Sequence, residues 1–331
     1  MKDGKISEPI WKRSVLRRLK CSRTEIITEP DVKRAGYLLD MQSGKAVVTS
    51  EADFLSSWRG GSPVSARMIF NRAVNACAAM GAEPVAVQVQ LLCPAAFTEP
   101  ELQSLMKVLE EEAEEKQVSL LPGSMEASEA VLLPYLTLNG IGRPWNKAFV
   151  PYEKIAAGQE LVLSRWIAME ATVLLAEEHE EELLKRYTPV FVDHARKLVK
   201  NLSCLPEAAA GVRHGVTAML PVEEGGVFGA LWQLAESAGL GLEVQAKSIP
   251  VRQETIEICE LYAKNPYLLP SAGCLLMVTE RGEALRWELE RAGIPAAVIG
   301  RLTDGRDRVI LNEEEKRFLE LPVMNELRAG N

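Results

Sequence analysis

Several things are scarce in this sequence, and each absence narrows the reading. The three histidines, His179, His194 and His214, form no HxH or HExxH pattern. The six cysteines, Cys21, Cys77, Cys93, Cys204, Cys259 and Cys274, are scattered with no CxxC pair. That argues against a structural zinc site and against a disulfide framework, and it predicts reduced thiols in a cytoplasmic protein. No apolar run reaches the roughly 18 residues needed to span a bilayer. Met1–Gly4 is polar and charged, so no signal peptide is expected. No Gly-x-Gly-x-x-Gly follows a strand pattern, which sets a Rossmann-type oxidoreductase aside. Excess positive charge is missing too: the formal net charge is −8, which argues against a nucleic-acid partner or an acidic membrane surface. The local Lys/Arg cluster between Lys12 and Arg23 is read as a solvated helix face.

What is present suits a globular chain with an ample core. The 331 residues suggest two domains, and 47% of them are hydrophobic. The most informative stretch is Ala66–Gln90, ARMIFNRAVNACAAMGAEPVAVQVQ. Met68, Ile69, Val74, Cys77, Ala78 and Met80 recur at helical spacing, with small residues among them. Gly81 suits the position just past a helix end, Pro84 stops continuation, and VAVQVQ then alternates as a strand does.

Other elements follow from local signals. Lys5–Leu19 reads as a short amphipathic helix capped by Ser7, and 35–49 reads as a hairpin turning at Gln42–Gly44. Trp58-Arg59-Gly60-Gly61 precedes a helix; such a pair can cradle a phosphate, although most such pairs are turns. Thr98-Glu99-Pro100-Glu101 is a strong helix start, and that helix should run to about Lys116. Val118–Leu121 is a strand leading into a loop at Pro122–Glu126, and Val131–Ile141 is a strand ended by Gly140 and Gly142. After a linker at 151–159, Glu160–Leu163 starts a second domain. Val173–Tyr187 and Val190–Asn201 read as helices, and Gly225-Gly226 opens another. Gly241–Ile249 is a strand, and a helix runs from about Gln253 through Tyr262, with Cys259 read as core. Glu283–Ala292 is a helix, Ala296–Leu302 the last strand, and the rest a charged, partly helical tail.

The wording of three stretches is more specific than these patterns. VNACAAMGAEP at 74–84 resembles the "ND-small-small-x-x-GA-x-P" helix end of the aminoimidazole ribonucleotide (AIR) synthase superfamily. GVTAMLPVEEGGVFGALWQL at 215–234 resembles its "GV-T-A-M-H-D-x-T-x-GG" stretch. IPVRQETIEICE at 249–260, with Ser271–Val278 beyond it, is similar to a third block. The likeness covers about residues 4–303 and is nearest the hydrogenase-maturation-factor-like branch. It implies an α/β (α+β) two-domain fold. Residues 1–150 would form an ATP-binding-like domain whose mixed sheet builds a β-barrel in a homodimer. Residues 159–305 would form the C-terminal domain, and 306–331 a charged tail.

The resemblance also implies ATP and Mg2+ as cofactors, a reaction that activates a carbonyl-type oxygen by phosphoryl transfer, and a maturation-type protein partner. It carries candidate nucleotide-site roles to Glu51, Asn75, Gly123, Glu126, Gly225 and Gly226. Yet four positions where relatives hold acid or metal-binding groups are Ala35, Ala76, Ser124 and Pro221 here, so no metal ligand and no catalytic residue is assigned. A triphosphate needs such groups to neutralise it. Glu223 beside the glycine pair would repel a phosphate. The glycine pair itself fits either an anion site or close packing of a helix start. The hydrogenase-maturation dehydratase carries its carbamoyl group on a C-terminal Cys, and no Cys follows Cys274 here, so that reaction is not expected in its known form. Two functions therefore stand side by side: an ATP-dependent enzyme working through altered ligands, and a catalytically inactive dimeric binding or scaffold protein.

Overall fold

The computed structural model describes residues 4–5, 8–19, 23–25, 46–60, 62–146, 152–313 and 315–320. The chain divides into two units, 1–77 with 82–144, and 78–81 with 145–331.

In the first unit the elements are β1 (Gly4–Lys5), α1 (Glu8–Ser14), β2 (Val47–Phe54), α2 (Val64–Ala79), β3 (Ala82–Pro94), α3 (Glu99–Glu115), β4 (Ser119–Ser128) and β5 (Tyr135–Pro144). The sheet order is β1-β4-β3-β5-β2, with β3 and β4 parallel and joined through α3. Helix α3 begins with a capping box, Thr98 and Glu101 satisfying each other's backbone N–H groups. Its apolar stripe, Leu102, Leu105, Met106 and Leu109, is buried. Helix α2 lies against the sheet where side chains are smallest. A Cβ on Gly140 would stand 2.5 Å from Thr49 Oγ1, 2.7 Å from Cys77 Sγ and 2.8 Å from the Ala73 carbonyl. So Gly140 and Gly142 do not end β5 but sit within it, as the points that admit the helix.

Other expectations also change. The first arm and turn of the 35–49 hairpin, Ala35 included, lie outside the described residues. Its second arm is β2, which runs on to Phe54 and pairs with β5. The helix expected over 5–19 is short, with a 3₁₀ turn at Leu16–Arg18 beyond it. The basic cluster is partly engaged: Arg13 binds Glu99, and Arg23 joins a ring with Glu25, Glu83 and Arg143.

The second unit contains β6 (Glu160–Ser164), α4 (Met169–Glu178), α5 (Glu180–Arg186), α6 (Pro189–Lys197), α7 (Leu205–His214), β7 (Ala218–Val222), α8 (Gly226–Ala238), β8 (Gly241–Gln245), α9 (Gln253–Leu261), β9 (Ser271–Thr279), α10 (Gly282–Arg291), β10 (Ala296–Thr303), β11 (Arg308–Asn312) and β12 (Glu315–Phe318). Its sheet order is β12-β11-β8-β10-β6-β9-β7. Strand β9 is buried throughout, and its alternation serves two cores. Cys274, Leu276 and Val278 pack with Val227, Leu231 and Leu234 of α8. Leu275 and Met277 pack with Ala208 and Val212 of α7 and Leu285 and Leu289 of α10. A strand covered on both faces reads as a continuous apolar run for this reason.

The single helix expected over 173–187 is two, α4 and α5, broken at His179. Beyond Thr303 the chain adds β11, parallel to β8, and then β12, where a partly helical tail was expected. Cys259 is core, and burial pushes its thiol up to about 12.

Candidate functional site

In the first unit, β2 points one row of side chains at α2. Val47, Thr49, Glu51 and Asp53 are the half-buried row, and Val48, Ser50, Ala52 and Phe54 the exposed one. Thr49 Oγ1 lies 3.3 Å from the Ala73 carbonyl and 3.3 Å from Cys77 Sγ, which fixes the strand along the helix. Burial pushes the Cys77 thiol up to about 11 against the lowering effect of Thr49, and the Glu51 carboxylate adds to the rise. Two residues on, Asp53 accepts from Arg72 Nη1 at 3.3 Å. Asn75, fully buried, and half-buried Ala76 occupy the next turn of α2. Candidate residues Glu51 and Asn75 therefore belong to the strand–helix layer.

Gly123 and Glu126 do not. The expected loop at Pro122–Glu126 is part of β4, which carries a bulge: Val89 pairs with Pro122 and Leu91 with Met125. At this bulge a Cβ on Gly123 would stand 2.8 Å from Gln90 Cγ and 2.8 Å from the Val89 carbonyl. Only glycine lets the strands close here. Glu126 registers with Leu92, on the face of Gln88 and Gln90, whereas Glu51 registers with Leu138 and through it with Val89. Alternation along a strand puts these two sets on opposite faces of the sheet. Candidate residues Glu51 and Glu126 thus do not converge within this unit. Ser124 Oγ donates to Glu126 Oε1 at 2.8 Å, so the two polar side chains of the bulge hold each other.

Gly61 of the glycine pair read before α2 lies outside the described residues, and the start of α2 is capped from within. Ser57 Oγ accepts from Ser65 N at 3.2 Å, and Ser62 Oγ from Val64 N at 3.4 Å.

In the second unit, Gly225 is the left-handed N-cap of α8, and Gly226 follows at φ +63°. A Cβ on Gly226 would stand 2.4 Å from the Tyr267 carbonyl oxygen, 2.6 Å from Leu268 C and 2.7 Å from Leu269 N. Its N–H donates to the Glu223 carbonyl at 2.8 Å. Phe228, in the first turn of the helix, stacks on Tyr267 with centroids 5.1 Å apart. Gly226 is thus closely packed, and its neighbour is the 266–269 turn. The first turn of α4 is likewise engaged: Glu170 accepts from Ala272 N at 3.1 Å, and Met169 N donates to Ser271 Oγ at 3.2 Å.

Besides the ring around Glu83, sequence did not single out two further ion pairs. One is Asp53–Arg72. The other is Arg165, bound to fully buried Glu207 and, at 2.7 Å, to Asn201 Oδ1. Burial raises the Glu207 carboxyl above its ordinary range despite Arg165. Neither pair has a sequence signal, because its members are 19 and 42 residues apart. Among the described residues no group of three or more His, Cys, Asp or Glu is arranged to hold a metal ion, and no helix is long and apolar enough to cross a membrane.

Comparison with known proteins adds sequence and fold relationships. Residues 156–312 match the family model "AIR synthase related protein, C-terminal domain". A hydrogenase expression/formation protein of Methanocaldococcus jannaschii is 24% identical over 262 residues, covering 78% of this chain and 76% of that protein. Carbamoyl dehydratase HypE of Rhodobacter capsulatus is 32% identical over a shorter stretch of 93 residues, 26% of this chain and 27% of its own. The crystal structure of Escherichia coli HypE superposes with a TM-score of 0.78 at 16% identity, covering 96% of this chain and 97% of that one. HypE in complex with ATP gives 0.74 at 16% identity (96% of each chain). A HypE–HypF complex gives 0.71 at 18% identity, over 84% of this chain and 91% of that one. The fold is thus a two-domain, AIR-synthase-like α/β fold.

Proposed function

We propose, for a chain that is AIR synthase-related and HypE-like, that it is a hydrogenase-maturation-factor-like protein in which ATP-dependent activation of a carbonyl-type substrate is impaired. It holds a ligand or a maturation-type protein partner instead. The observation that carries this reading is at Gly226. The backbone that would face a phosphate is packed on Tyr267–Leu269, and its N–H is taken by Glu223. A helix start attracts anions through free N–H groups and its dipole, and here the first of those groups is engaged.

The residues present do not fit the magnesium that the resemblance implies. Ala76 and Pro221 carry no donor side chain, and Ser124 donates to Glu126 within its own strand. Loss of several electrostatic contacts, each worth about 3 kcal/mol in a transition state, leaves little of a phosphoryl-transfer catalyst.

A homodimer fits the first unit. Strand β2, at the edge of the sheet among the described residues, exposes Val48 (71%) and Phe54 (40%) on the sheet face opposite α2, and Phe54 meets Tyr135 edge-on at 4.8 Å. Apolar groups exposed on a sheet face invite a second copy.

Titration calorimetry with Mg-ATP, together with a phosphate-release assay, tests the reading. The expected result is no turnover. Micromolar binding with turnover that drops on Glu51→Ala sinks it in favour of an active ATP-dependent enzyme.

A further inference from the structure

The acid row of β2 faces α2, and a cation is already built into that layer. Thr49 fixes the register of strand and helix through the Ala73 carbonyl and Cys77. Glu51 and Asp53 follow on the same face of the strand. Arg72 on α2 donates to Asp53 at 3.3 Å, with side-chain exposures of 13% for Arg72 and 19% for Asp53. Arg72 stands four residues before Ala76, so the two share one stripe of the helix. Ala76 is where the resemblance calls for a metal-binding acid on α2, and Glu51 is its counterpart on β2.

We propose that Arg72 is a fixed cation of this layer: its ion pair with Asp53 joins β2 to α2 where the relatives' pattern calls for a divalent ion, so the acid row takes up no Mg2+. The inference rests on the reading that the nucleotide and metal motifs are altered, and it goes further by naming what replaces the metal. A guanidinium is charged at any pH a protein survives, and it cannot be chelated or exchanged. A divalent ion approaching Glu51 or Asp53 meets that charge at short range, and partial burial weakens solvent screening of the repulsion. The acid that would offset it, at position 76, is a methyl group. A purely mechanical strap between helix and strand would use the same pair but would say nothing about metal affinity, which is what the test reads.

The probe is Mn2+ alone, with no nucleotide, added to the full chain and followed by the electron-spin-resonance signal of the free ion. Wild type and Asp53→Asn should bind Mn2+ alike, because the acids of α3 and the surface contribute equally to both. Arg72→Gln should gain one ion bound at least tenfold tighter, by the scale of one unit charge removed at close range. Adding Glu51→Gln should abolish that gain. Micromolar binding to wild type that disappears in Asp53→Asn overturns the proposal. So does a folded Arg72→Gln, with wild-type circular dichroism, whose Mn2+ affinity is unchanged. If Arg72→Gln does not fold, the comparison of wild type with Asp53→Asn still decides. Nucleotide turnover bears on the proposed function and leaves this result untouched.

Discussion

Gly226→Ala separates a packing glycine from a phosphate-binding one, and Gly239→Ala is its control. Both glycines are left-handed, Gly226 at φ +63° and Gly239 at φ +65°; Gly226 is the first residue of α8 and Gly239 its C-cap. They differ in surroundings: a Cβ at Gly239 meets nothing within 4 Å, whereas at Gly226 three backbone atoms of residues 267–269 lie within 2.7 Å. Left-handed backbone costs a non-glycine residue about 1–2 kcal/mol, partly offset by a stiffer unfolded chain. Overpacking a close contact adds roughly 1–3 kcal/mol, and main chain cannot rotate aside as a side chain can. Gly239→Ala should therefore lose about 1 kcal/mol, and Gly226→Ala roughly 2–5 kcal/mol. Urea unfolding followed by tryptophan fluorescence reads this well, because Trp145, Trp166, Trp232 and Trp287 lie in the second unit and only Trp11 and Trp58 in the first. Equal midpoint shifts for the two variants refute the packing argument. An unmoved midpoint combined with altered ATP binding would return Gly226 to the nucleotide site.

Three further outcomes are expected. Glu112, held by Arg67, Asn71 and Lys116, should cost about 2–4 kcal/mol when changed to Gln, since Lys116 is only 8% exposed and keeps only the exposed Glu115, at 3.6 Å, as its counter-charge; urea midpoints measure this. Burial opposes ionisation of Glu112, but its cations outweigh it and hold the carboxyl below the ordinary value of 4.5. The stability from that depressed group is fully present above about pH 4.5 and is lost as pH falls further, so the Gln variant should show a shallower acid loss than wild type. Val48→Glu on the exposed row of β2 should convert a dimer to a monomer in light scattering; a mass unchanged from that of a wild-type dimer would exclude this edge as the interface. Cys77, Cys93, Cys204, Cys259 and Cys274 are buried, and burial raises all five thiols, so a disulfide reagent at pH 8 should leave them unmodified until denaturant is added.

How far the sequence reached depended on the range of each signal. The capping box at Thr98, the Gly81 stop of α2 and the start of α8 at Gly225-Gly226 are local, because the groups satisfying each backbone N–H lie within a few residues. Such features were legible, and with them the α/β order and the family likeness. The apolar run at Ser271–Val278 entered the sequence reading only through the family likeness; that it is a strand covered on both faces came from the structure. Glycine roles were not legible: a chain that must turn, admit a helix or bind a phosphate uses the same residue, and only the neighbours at Gly123, Gly140 and Gly226 tell these apart. The strand pairing of β11 and β12 was also hidden, since the charged sequence of β12 suits a solvated edge as well as a tail.

By itself, then, the sequence determined the α/β character of the chain and many of its helix starts and stops and, through the family likeness, the loss of acids at Ala76 and Pro221. Tertiary structure alone decided which charges meet: Arg72 with Asp53, Arg165 with Glu207, and the ring of Arg23, Glu25, Glu83 and Arg143. An ion pair depends on distance in space, and the topology of the sheets sets that distance between residues up to 118 positions apart. No short window of sequence contains both partners.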